Sequence, residues 1–367
     1  MSTDPELAAG ARNLLIDCAG LTPGSDLLIV YESPELGWYD LGLSAAVATE
    51  ARRMGIEARL VEAGAPGHER DRNAADAIAA SDRVVFFARI GDQDRFAPAA
   101  PGKTVVMCYC RDAGMLGSSY GTTGHRAMTA LKQAVDEVLL GAREITITCP
   151  LGTEMTGTIQ PSARGEPADV SVRRFPLGVP QPIPASTFSG RVALGRYLTP
   201  TGSRPYDPAC VRLDSPVFAE VTKGRIDRFT GEPEAVAQVR AHYERVAGKF
   251  GIDADAVHSW HAGIHPGCAY RADADGDPDR WSNTVFTNPR FLHFHTCGDY
   301  APGEICWMVL DQTVLVDSTP LWQHGRLRVD NFAQTRACLA DWPELQALFA
   351  TPSDMIGLPP EGFFPSP

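Results

Sequence analysis

DLLIVY, residues Asp26–Tyr31, begins the pattern that decides the fold of the first part of the chain. It is a short apolar run, as a strand buried on both faces of a parallel sheet requires. An Ala-rich stretch with helical periodicity follows at Asp40–Met54, and Gly55 stands where a helix C-terminal cap belongs. EARLVE (Glu57–Glu62) then predicts a second strand. Strand, helix and strand in this order indicate a parallel α/β sheet.

The same alternation continues to about residue 145. It predicts helices at Asn73–Ala80 and Thr129–Leu140, and strands at Arg83–Ala88 and Lys103–Cys110. No phosphate-binding motif of the GxGxxG or GxxxxGK[ST] type follows the first strand, so the pattern indicates a fold and no nucleotide ligand. We therefore predict an α/β domain over residues 1–145.

The character of the sequence changes after this point, because short strand-like runs now alternate with Pro- and Gly-rich turns. One long amphipathic helix is predicted at Glu232–Phe250. The predicted strands are Glu144–Thr148, Val192–Leu198, Val217–Val221, Gly224–Phe229, Ile305–Leu310 and Thr313–Val316. Residues 146–367 are thus expected to form an α+β domain with a mixed or antiparallel sheet.

Composition limits the classes of function. The 367 residues are 44% hydrophobic and carry a net charge of −12, which argues against nucleic acid or an anionic membrane as a partner. The sequence has no apolar run long enough to span a membrane and no signal peptide at its start, so we expect a cytoplasmic protein. Nine cysteines without paired spacing fit reduced thiols.

The chemistry is expected where the histidines cluster. Five of the nine histidines lie close together in the sequence: His258, His261, His265, His293 and His295. Neutral imidazole is the commonest metal ligand. His293 and His295 flank Phe294, so on a strand both would project from one face and offer a metal two adjacent ligands. Asp311 is the candidate carboxylate.

Other arrangements of these residues remain open. His261 and His265 are four apart, but Gly263 and Pro266 argue against the helix that would align them. A loop can still bring them together. Each histidine also has a simpler interpretation as a hydrogen-bonded core residue, and Asp311 as the start of a turn. Two histidines and a carboxylate would suit Fe(II) and oxygen chemistry, or Zn or Mn with an activated water.

Several segments resemble the thermophilic metallo-aminopeptidases of the aminopeptidase T/S kind over roughly residues 140–320. The segments are LGTEMTGTI (Leu151–Ile159), RFPLGVPQPIPA (Arg174–Ala185), KGRIDRFTGE (Lys223–Glu232), and then WHAGIHPG and HFHTCGDY in the histidine-rich region. They occur in the order that this family has. The resemblance implies an aminopeptidase T-like fold, with a metal-binding second domain, and a homo-oligomer.

The ligand positions depart from that family. Its first metal-binding glutamate falls at Val179, its second at His261, and its late histidine–aspartate pair near Val309 and Asp311. A two-metal site needs bridging carboxylates, so the sequence predicts that the two-metal site of that family has been lost. The 2,5-dihydroxypyridine 5,6-dioxygenases are similar in lacking the first glutamate and in using a histidine at the second position to hold one Fe(II). This resemblance implies His261 and Asp311 as ligands, with His293 or His295 as the third.

Four further residues are candidates for the reaction itself. Tyr300 follows HTCGD, where the family has a tyrosine that could stabilise an oxyanion. Arg173 or Arg174 could bind an anionic or phenolate substrate through two hydrogen bonds. His125, in a Gly-rich turn, could shuttle a proton. The simpler interpretations are a strand-end aromatic residue for Tyr300 and solvated side chains for the two arginines.

These observations predict a mononuclear Fe(II)-dependent oxygenase of the ring-cleaving dioxygenase type, acting on a small polar or aromatic molecule. The alternative is a hydrolase or aminopeptidase in which zinc, cobalt or manganese activates water and Glu154 or Asp299 serves as the base. A catalytically inactive binding relative is the third possibility, since the glutamate and one histidine are missing.

Overall fold

A computed structural model describes residues 4–67, 71–93, 95–98, 100–160, 170–204, 206–300 and 303–364. The first sheet has five strands in the order β2-β1-β3-β4-β7, and every neighbouring pair is parallel. Its strands are β1 (Asp26–Glu32), β2 (Glu57–Ala63), β3 (Arg83–Phe87), β4 (Thr104–Cys108) and β7 (Arg173–Phe175). The predicted parallel α/β arrangement is therefore confirmed.

Both faces of this sheet are covered. Leu27 and Ile29 lie in one apolar cluster, while Leu28 and Val30 lie in another on the opposite face, as the period of a strand requires. The helices of this part are α1 (Pro5–Arg12), α2 (Leu43–Arg53), α3 (Arg72–Ala79), α4 (Ala113–Gly117), α5 (Ser119–Thr122) and α6 (His125–Gly141). Helix α6 begins earlier than its apolar periodicity predicted, because Asn13 Oδ1 accepts a hydrogen bond from the His125 backbone amide.

The remaining strands form two antiparallel sheets. The eight-stranded sheet has the order β13-β12-β9-β6-β5-β17-β18-β19. Its strands are β5 (Glu144–Thr148), β6 (Glu154–Thr158), β9 (Ser189–Leu194), β12 (Val217–Thr222), β13 (Arg225–Gly231), β17 (Thr313–Val316), β18 (Thr319–Gln323) and β19 (Arg326–Leu327). The six-stranded sheet has the order β11-β10-β16-β15-β14-β8. Its strands are β8 (Ile183–Pro184), β10 (Tyr197–Pro200), β11 (Val211–Arg212), β14 (Val257–Ala262), β15 (Phe291–Thr296) and β16 (Ile305–Leu310).

These two sheets share one apolar core with helices α6, α7 (Pro233–Phe250), α9 (Ala333–Asp341) and α10 (Pro343–Ala350). A further helix, α8 (Pro278–Val285), packs beside β10. The single strand predicted at 192–198 is wrong in one respect: it is two strands, β9 and β10, in different sheets. The chain changes sheet at Gly195, where an added Cβ would lie 2.5 Å from the Met308 carbonyl oxygen.

The mixed α/β and α+β class is thus confirmed. The chain nevertheless returns to the first sheet after residue 146, since β7 pairs in parallel with β4. This return has a consequence for function, because it carries Arg173 and Arg174 to the carboxyl-terminal edge of the parallel sheet. The described residues contain no helix that is both long and apolar enough to cross a membrane.

Candidate metal site

Three histidines share one face of the six-stranded sheet. Phe294 on β15 and Trp260 on β14 point into the core between the two antiparallel sheets, so the residues next to them point the other way. His261 lies directly opposite His293 in the register of β14 and β15, and His295 is two residues further along β15. The predicted strand position of HFH is confirmed, and so is the absence of a helix from His261 to His265.

The three imidazoles converge on one point. One ring nitrogen from each of His261, His293 and His295 lies within 4.8 Å of the others, and all three side chains are buried. His261 Nε2 is 3.2 Å from His295 Nε2 and lies even closer to His293 Nε2. Among the described residues this is the one group of three or more histidine, cysteine or carboxylate side chains with such spacing.

The protonation states of the three histidines suit metal ligands. His261 Nδ1 is 3.3 Å from the Pro180 carbonyl oxygen, so Nδ1 donates there and Nε2 presents its lone pair to the other two rings. Burial, followed by the charge of Arg174, lowers the pKa of His293 to about 3. Burial, followed by the neighbouring histidines, also holds the pKa of His261 and His295 well below the usual value. The imidazoles are therefore neutral, the form that binds metals.

The group fits a divalent cation. Three neutral nitrogen lone pairs directed at one another repel unless protons or a cation lie between them. Three histidines that leave further positions open are a known catalytic zinc set, and imidazole also suits iron and copper. The site lacks the bridging carboxylates of a two-metal centre among the described residues.

The histidines line a cavity of about 60 Å³ that the first sheet closes from the opposite side. Asp92 follows β3, Tyr109 follows β4, and Arg174 lies on β7, so all three come from the carboxyl-terminal edge of the parallel strands. Ligands of open α/β sheets bind at this edge. Phe286 packs edge-on against both Tyr109 and His293, with ring centroids 5.3 and 5.8 Å apart, and contributes an apolar wall.

Hydrogen bonds hold the polar side of the cavity. Arg95 Nη1 donates to Asp92 Oδ2 at 3.2 Å, and the Tyr109 hydroxyl donates to Asp92 Oδ1 at 3.2 Å. Arg95 also donates to the Thr201 carbonyl oxygen at 3.1 Å, which ties the first sheet to β10. Gly202 packs directly on this ion pair. Asp92, Arg95 and Tyr109 are all buried.

Asp311 and His265 do not join the three histidines. Asp311 accepts two hydrogen bonds from Arg290, at 2.7 and 2.6 Å, and lines a different and larger groove of about 680 Å³. Its backbone has φ of 52°, so it forms the turn between β16 and β17. His265 is fully buried against the Tyr120 ring, 4.8 Å away between centroids. In this structure His293 and His295 both join His261, whereas Asp311 lies outside the group.

Of the other predicted site residues, only some line the cavity. Arg174 lines the cavity, whereas its neighbour Arg173 points to the opposite face and donates to the Cys18 carbonyl oxygen at 2.6 Å. Tyr300 is 42% exposed and donates to Glu304 Oε1 at 3.0 Å. His125 lies at the start of α6, where burial lowers its pKa to about 4. Tyr300, His125, Glu154 and Asp299 are not among the residues that line the cavity.

Sequence reasoning did not identify Asp92, Arg95 or Tyr109 as site residues. A signal was present, because Asp92 closely follows one predicted strand of a parallel sheet and Tyr109 lies near the end of the next predicted strand. Nothing in the sequence alone indicated that this edge faces the histidines, since the two are about 150 to 200 residues apart in the chain and meet only through packing of the sheets.

Neither the protein-family models nor the curated proteins match this chain. The structure is similar to that of 2,5-dihydroxypyridine dioxygenase from Pseudomonas putida KT2440, with a TM-score of 0.58 and 14% identity over 91% of this chain and 100% of that one. A second similar structure is wild-type AmpT from Thermus thermophilus, with a TM-score of 0.44 and 10% identity over 88% of this chain and 99% of that one. Both protein classes indicated by the sequence motifs are thus found among the structural neighbours. At these identities the likeness to the dioxygenase shows a shared fold.

Proposed function

We propose that this protein is a mononuclear metal-dependent enzyme in which His261, His293 and His295 hold one divalent ion. The reaction favoured is that of an Fe(II)-dependent dioxygenase acting on a small polar or aromatic molecule. The observation that carries the proposal is the convergence of three buried, neutral imidazoles on the wall of a cavity. The fold likeness to a dioxygenase supports oxidative chemistry over other uses of such a site.

When bound, the metal would supply open coordination positions at which a substrate and dioxygen can meet. The protein's own residues would orient the substrate. Arg174 points into the cavity with its guanidinium donors, and Tyr109 presents a hydroxyl that is already oriented by Asp92. Burial raises the pKa of Tyr109 far above its usual range, so this hydroxyl stays protonated. Phe286 and Met308 add apolar surface that excludes water.

The donor set argues against a two-metal peptidase. Val179, at the position of that family's first glutamate ligand, is fully buried and has no ligating atom. The described residues place no carboxylate in the histidine group. The set differs as well from the two-histidine, one-carboxylate set that the sequence indicated, because the third donor is His295. A set of three neutral donors leaves the full charge of a divalent ion uncompensated, which favours an anionic ligand.

Three histidines with open positions also suit zinc and an activated water, so a metal-dependent hydrolase is the second candidate. In that case Asp92 is a better-placed base than Glu154 or Asp299, since Asp92 alone of these three lines the cavity. Its carboxylate is, however, already engaged by Arg95 and Tyr109. Both carboxylate oxygens are thus occupied by protein donors, which favours the oxidative reaction.

Anaerobic purification with metal analysis tests the proposal. We expect one iron per chain and oxygen consumption that is lost after oxidation of the iron and restored by reduction and added Fe(II). Zinc at the same stoichiometry, with hydrolytic activity and no oxygen consumption, would establish the second candidate. A chain that binds no divalent ion at the histidines would contradict both.

A further inference from the structure

Three charged side chains line the cavity, and Arg174 is the one without a charged partner among the described residues. Arg95 and Asp92 form a buried ion pair and neutralise each other, and Asp92 also accepts from Tyr109. The guanidinium of Arg174 makes no hydrogen bond or ion pair with any residue that the structure describes. Among the described residues, none balances this positive charge of the cavity.

Such a charge is costly in a partly buried place unless a ligand supplies the missing partner. The other described residues that line the cavity offer no free carboxylate, because the three histidines are neutral and the rest are apolar or uncharged polar groups. A metal ion at the histidines would increase the positive charge. The electrostatics of the cavity therefore favour an anion with or without the metal.

The geometry favours a planar anion. A guanidinium presents paired N–H donors that match the two oxygens of a carboxylate. The cavity of about 60 Å³ admits a small acidic group directly. A water-sized group needs roughly 10–15 Å³ of such space, so acetate is of suitable size.

We infer that the substrate carries a carboxylate that binds to Arg174, with the rest of the molecule extending toward His261, His293 and His295. This inference rests on the proposed function for its catalytic meaning, but the binding step does not depend on the metal. It assigns the specificity of the site to Arg174 and gives no such part to Arg173, which lies on the opposite face of β7.

Acetate and acetamide test this inference, because they have the same shape and differ in charge. Each is titrated by calorimetry into the full chain, once metal-free and once loaded with Co(II). We expect the protein to prefer acetate by about tenfold or more, as a charge-assisted pair requires. In the metal-free chain, Arg174→Gln should remove this preference. Arg173→Gln is the matched control and should keep it.

Arg174→Lys provides a second variant, since it keeps the charge and loses the paired donors. We expect an intermediate preference. The inference is overturned if the metal-free protein does not distinguish acetate from acetamide, or if metal-free Arg174→Gln still does. Failure of the proposed function gives a different result, namely no Co(II) bound by the histidines. The metal-free titrations still decide the part played by Arg174 in that case.

Discussion

His261 and His293 are direct cross-strand neighbours on β14 and β15, and their Nε2 atoms face each other inside the protein. Directly opposite residues of an antiparallel pair project from the same face. His295 joins them because it is two residues from His293. The register of β14 and β15 therefore fixes the backbone positions from which the three imidazoles project.

Loss of any one of these histidines should release the metal. We expect His261→Ala, His293→Ala and His295→Ala each to weaken metal affinity by more than the roughly 10- to 100-fold that loss of a supporting hydrogen bond costs. Metal content after dialysis against a weak chelator measures this. His258→Ala is the control on the same strand, since His258 Nδ1 contacts Ser259 Oγ at 2.8 Å and lies outside the group. Full metal content in any of these three alanine variants would contradict the assignment of the metal site.

The sequence allowed part of this site to be predicted. The period of a strand placed His293 and His295 on one face, and the motif order pointed to His261. The register of β15 against β14 is set by tertiary packing, so which residue lies across from which could not be read from the sequence. Asp311 is implied as a ligand by the family resemblance, because the aspartate of that family's late histidine–aspartate pair falls there. Its backbone instead turns at a positive φ and its carboxylate pairs with Arg290.

Asp311→Asn should therefore leave metal binding unchanged. The substitution keeps the size of the side chain, and asparagine tolerates the left-handed backbone at this position. We expect full metal content and a loss of stability of about 1 kcal/mol or less, because the pair with Arg290 is partly exposed. Metal analysis and denaturant unfolding measure the two effects. Loss of metal in this variant would show that Asp311 is a ligand after all.

The raised pKa of the Asp279 carboxyl should make the stability of the protein depend on pH. Burial, followed by the charge of Asp277, raises the pKa of its carboxyl to about 7. The unfolded chain has an ordinary pKa near about 4, so the folded protein binds this proton more tightly. The stabilisation is complete below the unfolded pKa and is lost as the pH rises through about 7.

Asp279→Asn isolates this group, because asparagine cannot ionise. We expect the free energy of unfolding of the variant to increase relative to that of the original protein between about pH 4 and pH 8. Denaturant unfolding of both proteins at several pH values gives the difference. A difference that stays constant, or that changes in the opposite direction, contradicts the assignment.

Gly202→Ala should break the polar wall that faces the histidines. An added Cβ would lie 2.6 Å from Arg95 Nη1 and 2.7 Å from Asp92 Oδ2, so the buried ion pair would have to move. The residue also has φ of 74°, which costs an L-amino acid about 1 kcal/mol. Gly24→Ala separates the two effects, because Gly24 has φ of 86° and no atom within 4 Å of its added Cβ.

We expect Gly24→Ala to show the backbone cost alone in thermal unfolding. Gly202→Ala should lose clearly more stability, since displacement of one partner of a buried pair leaves a charge unsatisfied. Equal losses in the two variants would mean that the ion pair adapts without cost and does not rigidly position Tyr109.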